Sequence, residues 1–197
     1  MKSISYTHYL DRSLDALAAA RSTVFEERLE AAVACCVGAC LAQMPILACG
    51  NGGSAADCEH IVAELVGRFA QERRAVNAIS LTSHGATLTA WANDIGFETV
   101  FARQVQAFGR EGAVLLALST SGASENVVKA ATTAQALGMS VIAFTGSAPG
   151  GALERAADIV LAAPSSETSI IQQVHECWYH YLCLQIESAV AKDGILD

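Results

Sequence analysis

The chain has 197 residues, of which 52% are apolar and 16% charged, with a formal net charge of −8. That length allows one domain with a substantial core, and the apolar content suits an α/β architecture that also buries subunit interfaces. The acidic balance argues against nonspecific binding to nucleic acid or to an anionic membrane surface, and no apolar run is long enough to span a bilayer. Met1–His8 carries no apolar signal-peptide core, so a cytoplasmic location is expected.

In chain order, two Ala-rich amphipathic stretches come first, Ser5–Arg21 and Thr23–Gln43, and predict a helical pair. Strands and helices then alternate. The strands are Ile46–Cys49, Val76–Leu81, Ala113–Leu118, Ser140–Phe144 and Ile159–Ala162, each a short apolar run of the kind buried on both faces of a parallel sheet. The helices between them are Ser54–Phe69, His84–Trp91, Thr99–Phe108, Ser124–Leu137 and Ala152–Ala156, with a long last helix from about Thr168 to Ala191. Pro149-Gly150-Gly151 and Pro164-Ser165-Ser166 read as turns. This order predicts a single α/β domain over 1–197, with helices at 1–43 and a sheet-containing core with its last helix over 44–197. Ligands in such sheets sit beyond the carboxyl ends of the strands.

Seven cysteines, Cys35, Cys36, Cys40, Cys49, Cys58, Cys177 and Cys183, fall mostly on apolar patterns with no CxxC pair. They read as small core residues in a reducing compartment, with a Cys35/Cys36/Cys40 metal site as the weaker alternative.

Ser119-Thr120-Ser121-Gly122-Ala123-Ser124 follows a strand and opens a helix. A helix N-terminus offers unpaired N–H groups and the positive end of a dipole, and the hydroxyls add donors, so the stretch suits phosphate. It contains no Lys or Arg, and the chain has no GxxxxGK[ST]. A small phosphorylated metabolite therefore fits better than a nucleotide, the plain alternative being an ordinary N-capped turn. Gly50-Asn51-Gly52-Gly53-Ser54 follows the first strand and is not GxGxxG, so it is no dinucleotide fingerprint. Its glycines permit close ligand approach, and Ser54 can cap the next helix.

His60 and Glu64 stand at i,i+4 and share a helix face. The pair can hold a divalent metal, act as a base with a polar neighbour, or be a solvated ion pair. On the last helix Gln172, Glu176 and His180 form one stripe, with His175 nearby, among Ile170, Ile171, Val174, Trp178, Tyr179 and Leu182. That pattern reads as a buried polar site or as a surface or interface stripe. Eight helical residues rise about 12 Å, so Gln172 and His180 reach one ion only if their ligand atoms converge or the helix starts late. Asn93 and Asp94 end a helix and can bond sugar hydroxyls or simply form a turn.

Four segments together, GNGGSAADCEHIVAELVGRF at 50–69, ANDIGFETVFARQV at 92–105, GREGAVLLALSTSGASENVVKA at 109–130 and IIQQVHECWYH at 170–180, resemble the sugar isomerase (SIS) domain family. Within it they resemble the phosphoheptose (sedoheptulose 7-phosphate) isomerases. The resemblance implies a five-stranded parallel sheet wrapped by helices and assembled as a homotetramer. It implies isomerisation of sedoheptulose 7-phosphate to D-glycero-D-manno-heptose 7-phosphate for bacterial heptose precursors. Asn51, Gly52, Gly53, Ser54, Asn93, Asp94, Ser119, Thr120, Ser121, Ser124, Glu64 and Gln172 match substrate contacts. Glu64 and His180 match acid/base residues, and His60, Glu64, Gln172 and His180 match zinc ligands. Zinc ligation and proton transfer compete for Glu64 and His180. The implied chemistry is a cis-enediol shuttle with Glu64 as base and His180 as acid or relay. The alternative is a non-catalytic SIS adaptor that binds a replication initiator. Retention of His60, Glu64, Gln172 and His180 favours the enzyme.

Overall fold

The apolar runs form five strands: β1 (Ile46–Cys49), β2 (Ala78–Ser80), β3 (Val114–Leu118), β4 (Ser140–Thr145) and β5 (Ile159–Ala162). They make one parallel sheet in the order β2-β1-β3-β4-β5. The computed structural model describes residues 4–148 and 150–193. Pro149 of the expected turn and both extreme ends of the chain therefore lie outside the described residues.

Eight α-helices accompany the sheet among the described residues: α1 (Tyr6–Ala19), α2 (Thr23–Leu41), α3 (Gly53–Val66), α4 (Gly85–Asp94), α5 (Val100–Phe108), α6 (Glu125–Ala136), α7 (Ala152–Arg155) and α8 (Thr168–Lys192). A short 3-10 turn at Phe97–Thr99 joins α4 to α5. Successive strand residues face opposite sides, which divides the interior in two. Ile46, Ala48, Leu116 and Phe144 pack with Cys58, Ile61 and Leu65 of α3 and Val174 and Leu182 of α8. Leu47, Cys49, Leu115 and Ala143 pack with Phe101 and Val105 of α5 and Val127 and Ala130 of α6. The helical pair α1 and α2 lies against α8.

Most elements differ from the pattern reading by a residue or a few at their ends, α3 for example ending at Val66 and not Phe69, and two differences bear on the shape of the fold. The expected strand Val76–Leu81 shortens to Ala78–Ser80, because this edge strand pairs only with β1, over three residues. The expected helix His84–Trp91 continues to Asp94, so Asn93 and Asp94 are helical, and the chain turns at Ile95 and Gly96, whose N–H groups both bond Trp91 O. No helix among the described residues is long and apolar enough to cross a membrane. The seven cysteines are free, and five of them are buried. Burial pushes the Cys49 thiol up to about 12 and the Cys40 thiol to about 11, so both behave as small apolar residues.

The topology fixes where a ligand sits. From β1 the chain passes through α3 to β2 on one side of β1, and β3 then returns to pair on its other side. α3 belongs to one core and α6, after β3, to the other. The sheet order therefore reverses between β1 and β3, and in such sheets ligands sit beyond the carboxyl ends of the strands at that point.

Candidate active site

Both loops at this switch point are built for close approach. After β1, Gly52 takes φ +56°, a left-handed conformation open to glycine, and α3 starts at Gly53. A methyl group on Gly53 would lie 2.2 Å from Gln172 Nε2, so the glycine makes room for the amide of α8 to lie over the turn. Ser54 is buried in the first turn of α3. After β3, Ser119 Oγ lies 2.9 Å from Ser124 Oγ and 3.4 Å from Ser121 Oγ. Ser124 is the N-cap of α6, but its hydroxyl makes no capping bond. The hydroxyls thus gather around Ser119 at a helix N-terminus, as an anion site requires. Thr120 O is tied to the end of β4 by the Gly146 N–H at 3.1 Å.

Asn51 and Asn126 connect the two loops through two side-chain hydrogen bonds of 2.9 Å each. Asn126 Oδ1 also accepts from the Val127 N–H. Sequence reading missed Asn126, because its partner is 75 residues away.

The second part of the site lies between α3 and α8. His60 Nε2 is 3.2 Å from Glu64 Oε1 and 3.5 Å from His180 Nε2. These three residues offer ligand atoms that all lie within 4.8 Å of one another, the spacing a small divalent ion needs. With both imidazoles neutral, lone pairs on three converging atoms repel unless a proton or a cation sits between them. Two nitrogens and one carboxylate are donors that can hold a divalent metal ion. Tyr179 Oη is 3.1 Å from His60 Nδ1, and burial pushes its phenol well above the ordinary range, so it stays protonated. Asp57, one turn before His60, has a buried oxygen without a partner. Its carboxyl is raised to about 6 by burial and by Glu176, against the lowering effect of His60. Its place one turn before His60 on α3 was the available sequence signal.

A buried clamp holds the far end of α3. Arg73 donates to Glu64 O and Gly67 O, each at 2.7 Å, and to Arg74 O at 3.1 Å. Glu187 of α8 accepts from the N–H groups of Phe69, Ala70 and Gln71. Burial alone would raise this carboxyl, but the three N–H donors and Arg73 hold it below the ordinary range. The clamp fixes the segment that delivers Glu64, and it places Phe69 against the His180 ring with centroids 5.6 Å apart.

The expected residues thus fall into groups. Asn51, Gly52, Gly53, Ser54, Ser119, Thr120, Ser121 and Ser124 line the two switch-point loops. His60, Glu64 and His180 converge between helices. Gln172 stands over Gly53, about two turns of α3 before His60, and so apart from that cluster. Asn93 and Asp94 are exposed at the end of α4 and bond one another at 2.8 Å.

A doubly wound sheet with a hydroxyl-lined anion loop and a proton-transfer or metal cluster nearby defines a phosphosugar-handling domain. Comparison with known proteins gives the same class: the SIS domain family model matches residues 6–146. The phosphoheptose isomerase of Crocosphaera subtropica is 48% identical over 151 residues, covering 76% of each chain. The structure of phosphoheptose isomerase GmhA from Neisseria gonorrhoeae superposes with a TM-score of 0.86 at 37% identity, over 92% of this chain and 96% of that one. A phosphoheptose isomerase from Francisella tularensis gives 0.88 at 36% identity, with the same coverage. The chain belongs to the SIS domain family and, within it, to the phosphoheptose isomerases.

Proposed function

We propose that the protein isomerises sedoheptulose 7-phosphate to D-glycero-D-manno-heptose 7-phosphate, supplying heptose precursors. The convergence of Glu64 and His180 at His60, about two turns along the helix that opens at the switch point, carries this reading. The phosphate binds at Ser119, Thr120, Ser121 and Ser124, and Asn51, Gly52, Gly53, Ser54, Asn93, Asp94 and Gln172 contact the sugar.

With the open-chain ketose in place, Glu64 takes a proton from C1. The C–H electron pair forms the C1=C2 bond, and the carbonyl oxygen on C2 takes a proton from His180. The resulting cis-enediol returns its O1 proton to His180 and receives the Glu64 proton at C2, which leaves an aldehyde at C1. Positioned acid–base groups supply about 10²–10⁴-fold of the rate.

Zinc fits His60, Glu64 and His180, and when bound would polarise the substrate carbonyl and favour the charge of the enediolate. Gln172 stands over Gly53 and outside the His60, Glu64 and His180 group, which supports the substrate-contact role for it. The convergence of the acid/base residues supports an enzyme over the adaptor alternative.

We further infer a homotetramer. Tyr6, Leu14 and Val24 of the N-terminal helices are 76%, 54% and 56% exposed, and a cavity of about 540 Å³ between α2 and α8, away from the catalytic groups, is lined by Phe25, Leu29 and Trp178. Residues 1–197 are read as one domain, and free thiols throughout suit the cytoplasm. Incubation with sedoheptulose 7-phosphate in D₂O, followed by NMR with and without zinc, tests the reaction. Heptose 7-phosphate with solvent deuterium at C2 is expected. Absence of product from folded protein under both conditions would contradict it.

A further inference from the structure

His60 is gripped by α8 on both ring nitrogens. Its Nε2 faces His180 and Glu64, and its Nδ1 lies 3.1 Å from Tyr179 Oη. The Tyr179 ring is buried and meets the His60 ring edge-on at 5.5 Å and the His180 ring edge-on at 4.8 Å. A flip of an imidazole about its terminal torsion exchanges nitrogens for carbons, so engagement of both nitrogens selects one ring orientation. The partner at Nδ1 also decides which tautomer is supported, and a hydroxyl is unusual in being able to donate or accept. With Nε2–H donating to Glu64, the phenol donates to Nδ1. With the Nε2 lone pair given to a cation, Nδ1–H donates to the phenol oxygen. A carbonyl at this place would serve only the second state.

We propose that Tyr179 is the positioning residue of the site, holding His60 through Nδ1 so that Nε2 faces Glu64 and His180 in either tautomer. This rests on the reading above, in which His60 is a zinc ligand. Outer partners of ligating histidines typically change metal affinity by about 10–100-fold when removed.

Tyr179→Phe keeps the buried ring and removes only the hydroxyl, so the thermal midpoint should change little. Two readouts on the full chain test the proposal. In metal-free protein, the ¹⁵N resonances of His60 should show Nδ1 losing its hydrogen bond in the variant. Zinc titrated against a chromophoric chelator should bind about 10–100-fold more weakly to the variant. In turnover, kcat should fall while KM for the sugar phosphate changes little, because the phosphate loop is untouched. Unchanged His60 resonances together with zinc affinity within twofold of wild type would overturn the role of Tyr179. If the wild-type protein itself takes up no zinc, the metal reading fails, and the His60 resonances alone then decide Tyr179.

Discussion

Asn51 and Asn126 exchange two hydrogen bonds of 2.9 Å across the switch point, joining the glycine turn after β1 to the helix that opens behind the serine loop. Each amide both donates and accepts, so the pair sets the separation of the two switch-point loops. Asn126 is buried, and truncation leaves Asn51 without its partner. Asn51 is half-buried and can turn to water, so the cost is that of the two lost hydrogen bonds, about 1–3 kcal/mol together. Asn126→Ala should lower unfolding stability in urea by that amount and raise KM for the sugar phosphate more than it lowers kcat. A variant with wild-type KM would show that the loops keep their spacing without the pair.

Gly53 leaves the space that the Gln172 amide occupies, since a Cβ there would lie 2.2 Å from Nε2. The obstructing atom is the far end of a flexible side chain, so Gly53→Ala should displace Gln172 with a net stability change within about 1 kcal/mol, because the helical advantage of alanine offsets part of the displacement. If Gln172 contacts the substrate from this place, KM should rise severalfold, as it should in Gln172→Ala, and the double variant should be no worse than either single one. Additive effects on KM would show that Gly53 and Gln172 act separately.

His175 is fully buried, with Nε2 2.9 Å from the Thr145 carbonyl and Nδ1 without a partner. Burial drives its pKa from 6.5 down to about 4, against the opposing hydrogen bond to Thr145. The unfolded chain therefore takes up a proton near its ordinary pKa that the folded chain refuses until about pH 4. The stability from this group is complete above pH 6.5 and is lost as pH falls through that window, on the order of 3 kcal/mol in all. Asp57 acts in the opposite sense, because its raised pKa makes the fold the better proton acceptor below about pH 6. Urea midpoints of wild type and His175→Gln, compared between about pH 7 and pH 4.5, isolate the histidine. The difference between the two proteins should shrink as pH falls, and a constant difference would exclude buried neutral His175 as the cause.

Local pattern made much of this legible. The strands β1 and β5 fall where their apolar runs end, and β3 and β4 differ from theirs by one residue. The interior strands β1, β3 and β4 are buried almost throughout, which demands apolar side chains. The switch-point loops were visible as glycine and hydroxyl clusters after such runs. The His60–Glu64 pair was visible at helical spacing. What local pattern could not give was contact across long separations. His180 meets His60 over 120 residues, Tyr179 over 119, and Glu187 reaches the Phe69 N–H over 118. Those pairings exist because α3 and α8 lie side by side in one core, which is a property of the sheet order. The resemblance to a known family supplied the site membership of His180 that spacing left open. Asn126 and Tyr179 belonged to none of the matched roles, and they emerge from geometry alone.

The most direct measurement is the turnover of sedoheptulose 7-phosphate by Glu64→Gln beside wild type, with thermal unfolding of both. Glutamine keeps the size of the side chain but cannot take the C1 proton. The account predicts a rate at least about 100-fold lower with little change in thermal midpoint. A well-folded Glu64→Gln variant turning over near the wild-type rate would contradict it.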